Sequence, residues 1–326
     1  MVSIIIPYFN SAKFIAETLD SVRNQTYPDW ECLLIDDGST DESSAIVADF
    51  VQKDTRFVSL KRELGPKGVS QCRNIGISSA KGDFILFLDS DDFMDVNCLK
   101  HRVDFMKSHS TLDFAVFQVE TFGLEKKLMT SFKPDYLEAF LRFDFAWTVS
   151  SPIWRSDFLK ALGGFNIGMS ALEDPEIHVR ALQLNPNYRV EVDADPDIFY
   201  RIWKESVRPD LSRLSSMMDG FFIYMRLVDE IIQQQAYPIE LLADGLMKIL
   251  QRLRWADGNT ISNFKDELFE FIEKLSVSGI RKKMAQNALK SVSISGKSKQ
   301  NNRKEIELMM VTLFPGRYLR SYLKSS

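Results

Sequence analysis

The sequence predicts an α/β fold with a mostly parallel sheet and helices on both of its faces. Three observations lead there. Apolar runs such as Phe84-Ile-Leu-Phe-Leu88 do not alternate with polar residues, these runs alternate with helical patterns over residues 1–118, and several of them end in an acidic turn. Unbroken apolar runs mark strands covered on both faces, as in parallel sheets. Strands separated by helices imply crossover units, which build a doubly wound sheet.

The elements follow in order. Residues 2–6 read as a buried strand, and Ser11 can cap a helix with Phe14, Ile15, Leu19 and Val22 on one face. Residues 30–35 form the next strand, which ends in Asp36-Asp37-Gly38-Ser39-Thr40-Asp41. Ser39, Thr40 and Asp41 are each suited to cap the helix that carries Ile46, Phe50 and Val51. Residues 57–60 give a third strand, and Gly65-Pro66-Lys67-Gly68 opens a helix through Val69, Cys72 and Ile75. Residues 84–88 form the fourth strand and residues 113–118 the fifth. Beyond about residue 120 the alternation weakens. Residues 147–154 read as extended, Gly163-Gly164-Phe165 as a break, 171–184 as helical, and 188–192 and 198–203 as strands. From residue 211 strand signals vanish, and 211–235, 239–255 and 264–275 read as amphipathic helices. The expected division is an α/β domain over 1–210 and a helical domain over 211–326, with a polar, basic stretch at 291–302.

A net charge of −4 argues against a general nucleic-acid binder. That charge is unevenly spread: residues 281–326 carry +9 and the rest −13, an acidic body with a basic tail. The cysteines Cys32, Cys72 and Cys98 lack metal-ligand spacing and read as reduced, packed thiols. The first residues carry no basic segment of a secretory signal, and no run approaches the ~18 apolar residues of a membrane span. A cytoplasmic location is the expectation.

Asp89-Ser90-Asp91-Asp92 sets three carboxylates at the end of a buried strand. Such a concentration is costly unless a cation neutralises it, and hard divalent ions take carboxylate oxygens. Ligands of open α/β sheets bind at the carboxyl ends of strands. Three tips should converge there: Pro7-Tyr8-Phe9-Asn10, Asp36-Asp37 and residues 89–92. Tyr8 or Phe9 offers a face to a planar base, Asp37 accepts hydrogen bonds from a base or ribose, and Lys67 and Arg73 neutralise phosphates alongside the metal. Read alone, Arg73 equally suits a pair with a neighbouring carboxylate.

Ser3-Ile-Ile-Ile-Pro-Tyr-Phe-Asn10, Leu34-Ile-Asp-Asp-Gly-Ser-Thr-Asp41, Cys72-Arg-Asn-Ile-Gly76 and Gly82-Asp-Phe-Ile-Leu-Phe-Leu-Asp-Ser-Asp-Asp92 resemble the serial motifs of family 2 glycosyltransferases. The resemblance implies a Rossmann-like GT-A fold, a nucleotide-sugar donor (usually a uridine diphosphate sugar) and Mn²⁺ or Mg²⁺. It implies that Pro7 and Asp37 sit at the nucleobase, with Asn10 in the same tip, and that Asp89, Ser90 and Asp91 sit at the ribose and diphosphate. Asp91 or Asp92 would bind the metal. The family pattern also calls for an acidic pair after a Gly-Gly-Phe break, and Leu172-Glu173-Asp174-Pro175 fits it. Asp174 is then the expected general base, with Glu173 beside it.

Other residues carry weaker readings. His178 lies one turn beyond Asp174 and suits a structural or acceptor-contacting role. Trp147, Trp154 and Arg155 are candidates to wall an acceptor pocket, core packing accounting equally well for the two tryptophans, and Arg201 and Ser206 are candidates for phosphate contact. Gln251-Arg-Leu-Arg254-Trp255 spells a signature of processive synthases, but it stands far beyond Asp174 and reads as a helix face. The mixed apolar and basic tail at 309–324 suits docking on an anionic membrane surface, packing on the helical domain, or a homodimer contact. In the first case the acceptor is a lipid-linked glycan at the inner face of the membrane. Two rivals remain: a nucleotidyltransferase, which would show a Gly-rich basic loop after the first strand, and a non-catalytic sugar- or nucleotide-binding scaffold.

Overall fold

A computed structural model describes residues 1–203, 214–239, 241, 242, 245, 268–274 and 282. The chain divides into two compact units, one of Met1–Phe140 with Phe145–Arg208, the other of Leu141–Asp144 with Pro209–Ser326.

The first unit opens with three βα repeats. Strand β1 (Val2–Tyr8) leads to α1 (Ile15–Arg23), β2 (Trp30–Asp36) to α2 (Ser43–Lys53), and β3 (Phe57–Lys61) to α3 (Val69–Ser79), after which β4 (Phe84–Phe87) follows. All seven residues of β1 and of β2 are buried, which explains their unbroken apolar character. These four strands pair in parallel in the order β3-β2-β1-β4. Parallel register brings Tyr8 opposite Asp36, so the tips of β1 and β2 meet at one edge.

Three further strands complete the seven-stranded sheet as β4-β8-β6-β9. They are β6 (Phe114–Val116), β8 (Pro152–Arg155) and β9 (Tyr188–Val190), and β8 runs antiparallel to both of its neighbours. A second sheet joins β5 (Phe93–Met94), β10 (Ile198–Ile202) and β7 (Val119–Gly123) in that order. Helices α4 (Cys98–Ser108), α5 (Tyr136–Leu141), α6 (Ser156–Ala161) and α7 (Glu173–Gln183) lie between these strands in sequence. One side of the large sheet packs Ile4, Ile6, Leu34 and Leu86 with Ile15, Leu19, Val47, Leu99 and Val103 in a single core.

The structure differs from the sequence reading in several places, the unexpected short strands β5 and β7 among them. The strand expected at 113–118 is β6, and the chain then leaves for the second sheet at Gln118. Its buried amide receives the Thr130 N–H at 2.8 Å and donates to the Val192 carbonyl at 3.0 Å, bonds that take the place of a ladder there. The extended segment expected at 147–154 becomes strand only at Pro152, because Thr148 and Ser151 first close a turn. The short helices α5 and α6 and the full span of α4 carry no strong period and were not expected.

In the second unit, α8 (Leu214–Gln235) is an amphipathic helix, and Phe222 packs its ring 5.8 Å from that of Phe271. The basic stretch at 291–302, the tail at 309–324, the Gln251–Trp255 motif, Ser206 and most of the helices expected at 239–255 and 264–275 lie outside the described residues. No helix among the described residues is long and apolar enough to cross a membrane.

Candidate active site

The β1 and β2 tips are locked together by their own polar side chains. Asp36 accepts the N–H groups of Gly38 and Ser39 at 3.1 and 2.8 Å and the Ser44 hydroxyl at 2.8 Å, which hold its pKa below the usual carboxylate value despite burial. Asn10 takes a left-handed backbone (φ 50°), where its Oδ1 accepts the Thr40 N–H at 2.8 Å. Asp37 is buried and accepts from Arg62 Nε at 2.5 Å and from the Gly68 N–H at 3.3 Å.

Pro7 and Tyr8 are both buried, and Tyr8 joins the core on the α1 side of the sheet. Side chains alternate along a strand, so it is Phe9, 40% exposed, that faces outward. The Lys67 ammonium sits 3.4 Å above its ring. Between Tyr8 and Phe9, the face open to a base is therefore that of Phe9.

The fourth tip separates its carboxylates by environment. Asp89, Ser90 and Asp91 are half-buried, whereas Asp92 is 1% exposed. Asp92 Oδ1 accepts the backbone N–H of Arg201 at 2.8 Å, and its Oδ2 has no partner among the described residues. Burial first, then the charges of Asp89 and Asp91, push its pKa well above the ordinary carboxylate value. Asp91 is raised to about 6, by burial and then by the charge of Asp89. The corner is tied to α1: Thr18 Oγ1 donates to the Asp92 and Ser90 carbonyls at 2.7 and 3.1 Å, and the Ser11 and Ser90 hydroxyls share a hydrogen bond of 2.7 Å.

Arg73 joins this corner to the acidic pair. Its side chain is 3% exposed, and it donates to Asp89 at 3.0 Å, Glu173 at 3.1 Å and Asp174 at 2.9 Å. Of the two readings of Arg73, phosphate contact or a pair with a neighbouring carboxylate, the structure shows the second: its guanidinium is engaged by Asp89, Glu173 and Asp174. Three acidic partners raise its pKa in spite of burial, keeping it cationic. Phe165 supports the guanidinium at 5.1 Å, and Asn74 brackets Phe165 by accepting its N–H at 2.7 Å and donating to its carbonyl at 2.8 Å. Gly164 (φ 71°) lies against Asn74 Oδ1, where a β-carbon would collide.

Helix α7 opens abruptly. Leu172 is left-handed (φ 62°), a strained backbone for a branched side chain. Glu173, Asp174 and Glu176 all fall in the first turn, where the helix dipole favours negative charge. Asp174 is about a quarter exposed. Burial, opposed by Arg73 but reinforced by Glu173 and Asp89, pushes its pKa up to about 8.

The aromatic residues proposed for an acceptor wall are core residues. Trp147, Trp154 and His178 are 3%, 1% and 1% exposed. His178 lies parallel to Trp154 at 6.0 Å, edge-on to Phe140 at 5.5 Å and edge-on to Trp147 at 5.7 Å. Neither ring nitrogen has a partner among the described residues, and burial lowers its pKa to about 3, so it stays neutral. Arg155 donates to the carbonyls of Leu112 and Ser110, which closes the α4–β6 connection.

Three residues were missed or undervalued by sequence reasoning. Arg62 pairs with Asp37. Arg201, rated only for phosphate contact, donates to the Asp91 carbonyl at 2.7 Å and to Glu17 at 2.6 Å. Tyr200, on β10, has its pKa raised by burial and by the charges of Asp89, Asp92, Asp91 and Asp174. Position immediately after a strand was a usable signal for Arg62 alone.

No group of three or more His, Cys, Asp and Glu side chains forms a full metal cage among the described residues. The donor set nevertheless fits a hard cation. Asp91 offers carboxylate oxygens beside the unpartnered Asp92 Oδ2, and mutual repulsion there is relieved by positive charge.

The family model described as Glycosyl transferase family 2 matches residues 3–153. An uncharacterized glycosyltransferase of Haemophilus influenzae is 39% identical over 142 residues, 42% of this chain and 56% of that protein. The poly(ribitol-phosphate) beta-N-acetylglucosaminyltransferase TarS of Staphylococcus aureus is 27% identical over 304 residues, 86% of this chain and 52% of that protein. The chain thus spans about half the length of these curated relatives. A crystal structure of S. aureus TarS residues 1–349 with UDP-GlcNAc superposes with a TM-score of 0.65 at 22% identity, covering 94% of this chain and 90% of that one. That likeness establishes the shared GT-A fold.

Proposed function

From the premise that residues 3–153 are a glycosyltransferase family 2 domain, we propose that this protein moves a sugar from a nucleoside diphosphate sugar, a uridine diphosphate sugar by preference, to a hydroxyl of a glycan or lipid-linked glycan, with inversion at the anomeric carbon. The observation that carries the reading is Arg73, which holds Asp89 of the β4 tip and Asp174 of α7 on one guanidinium.

The nucleoside end lies at Pro7, Asn10 and Asp37, with the exposed Phe9 ring, and the Lys67 ammonium above it, beside the base. Asp37 is kept in place by Arg62 and accepts hydrogen bonds from the base. Asp89 and Ser90 lie toward ribose and diphosphate. In the transfer step the acceptor oxygen forms a bond to the anomeric carbon as the bond from that carbon to the diphosphate oxygen breaks. Asp174 takes the acceptor proton, and the nucleoside diphosphate leaves with the bonding pair. Glu173 keeps Asp174 basic by repulsion, and Arg73 opposes that effect while fixing the orientation of the pair.

A bound Mg²⁺ or Mn²⁺ would be held by Asp91, with donor oxygens and water completing its sphere, and would supply Lewis-acid stabilisation of the leaving diphosphate. Asp92 is the poorer ligand because the Arg201 N–H occupies one of its oxygens. We further propose peripheral association with the cytoplasmic face of a membrane, where a lipid-linked acceptor would lie.

Release of nucleoside diphosphate from a panel of nucleotide sugars, with Mn²⁺ and with a chelator, tests the reading. Turnover that depends on metal and falls by about 10²–10⁴ in Asp174→Asn supports it. Nucleotide binding with no turnover of any donor favours the scaffold.

A further inference from the structure

Strand β7 leaves the second sheet in a tight hairpin over residues 123–132. The turn is held by its own bonds: the Thr121 N–H donates to the Lys127 carbonyl, the Lys127 N–H to Thr121 Oγ1, and the Met129 N–H to the Val119 carbonyl, each at 2.8 Å. Its near end is anchored by the Leu124 N–H on the Ile202 carbonyl at 3.0 Å, and its far end by the Thr130 N–H on Gln118 Oε1 at 2.8 Å. This fixed backbone displays apolar side chains to solvent. Leu124 is 63% exposed, Leu128 50% and Phe132 69%, three of the eight strongly exposed large hydrophobic residues among the described ones.

Lysines interleave with them. Lys126 and Lys127 are exposed, and Lys126 reaches Glu120 at 3.0 Å with 78% of its side chain still in water. Residues 124–133 carry +2, on a body whose residues 1–280 carry −13. A patch of opposite sign to its surroundings selects an anionic surface and orients the molecule on it.

We propose that this hairpin docks on an anionic phospholipid bilayer, with Leu124, Leu128 and Phe132 at the headgroup–acyl boundary and Lys126 and Lys127 on lipid phosphates. Lysine stems bury along apolar surface while their charges stay wet, which suits a lipid interface. A second copy of the chain is the poorer occupant, since lysine is depleted from protein–protein interface cores.

The docking bears on the site because Phe122, at the root of the hairpin, packs 4.8 Å from Phe93, and the Arg201 guanidinium lies 4.4 Å over its ring. Arg201 in turn holds the Asp91 carbonyl, so the docked hairpin would set the acidic corner beside a membrane-borne acceptor. The inference deepens the peripheral association proposed above and rests on it, but not on the chemistry of transfer.

The test is co-sedimentation of the full chain with vesicles of phosphatidylcholine alone and of phosphatidylcholine mixed with phosphatidylglycerol, without donor or acceptor. Wild type, L124S/L128S/F132S and K126E/K127E are compared, with circular dichroism confirming folding. The expected result is binding to the mixed vesicles that falls about tenfold or more in the apolar triple variant and about fivefold for each altered lysine. Equal binding by all three proteins would overturn the hairpin surface and leave peripheral association to another segment. Absence of wild-type binding would overturn both. Loss of a dimer in the triple variant, with vesicle binding unchanged, would assign the patch to a second copy. Donor turnover in solution, measured in parallel, stays at the wild-type level in these variants and reports separately on the transferase reading.

Discussion

Arg73 Nη1 lies 2.9 Å from Asp174 Oδ1, a contact between residues 101 positions apart. The guanidinium is buried and also touches Glu173 and Asp89, so its removal leaves acidic groups crowded together without a counter-charge. Breaking a buried ion pair by deleting one partner is strongly destabilising. Arg73→Met should lose on the order of 3–5 kcal/mol in urea denaturation at pH 8. Arg73→Lys should recover only part of that loss, because an ammonium cannot span both acidic segments as the planar fork does.

The pH dependence follows from Asp174. Its pKa of about 8 lies above the ordinary value of 3.8, so below pH 8 the carboxyl is mostly protonated and cannot accept the acceptor proton. The kcat/KM of the free enzyme should therefore rise with pH through a limb near 8. Removing the repulsion in Glu173→Gln should move that limb downward. A limb that stays in place would take Asp174 out of the role of base.

Asp91 gives a prediction about stability. Its folded pKa of about 6 exceeds the unfolded value, so the folded state holds this proton more tightly. That stabilisation is complete below about pH 4 and is lost as pH rises through 6. In chelator at pH 8, Asp91→Asn should be more stable than wild type by about 1–2 kcal/mol, with the difference gone at pH 4. Added Mn²⁺ should raise the melting temperature of wild type and leave that of Asp91→Asn unchanged.

Trp154 separates core from acceptor pocket. Trp154→Ala should cost about 3–5 kcal/mol by opening a cavity beside Phe114 and His178. Trp154→Phe, assayed at a temperature where it is folded, should keep its KM for acceptor. A selective rise in that KM would restore the acceptor-wall reading.

The sequence made the sheet legible where local physics decides the outcome. The β1, β2 and β4 segments are buried on both faces, and Gly, Ser and Asp punctuate their ends, so pattern and structure agree. The same applies to the three strand tips and to the acidic start of α7. What stayed hidden depends on distant partners. Arg73 has an ordinary place on a helix, and its role appears only once α7 arrives beneath it. The proposed preference for Asp91 over Asp92 as metal ligand rests on one backbone N–H, that of Arg201, more than a hundred residues away. Trp147 and Trp154 look alike as core and as pocket lining, because aromatic residues serve both. The direction of β8 was equally unreadable, since a four-residue strand carries no mark of parallel or antiparallel pairing.

The three partners of Arg73 come from both sides of a long stretch of chain, and this bears on how the molecule can be dissected. A fragment ended between α6 and α7 would retain the β1, β2 and β4 tips, where the nucleotide is proposed to lie. It would also keep a sequestered cation with only Asp89 to answer it. Such a piece is expected to recognise nucleotides weakly, to fold poorly and to transfer nothing. Co-expression with a peptide bearing residues 172–184 would be the route to restoring it.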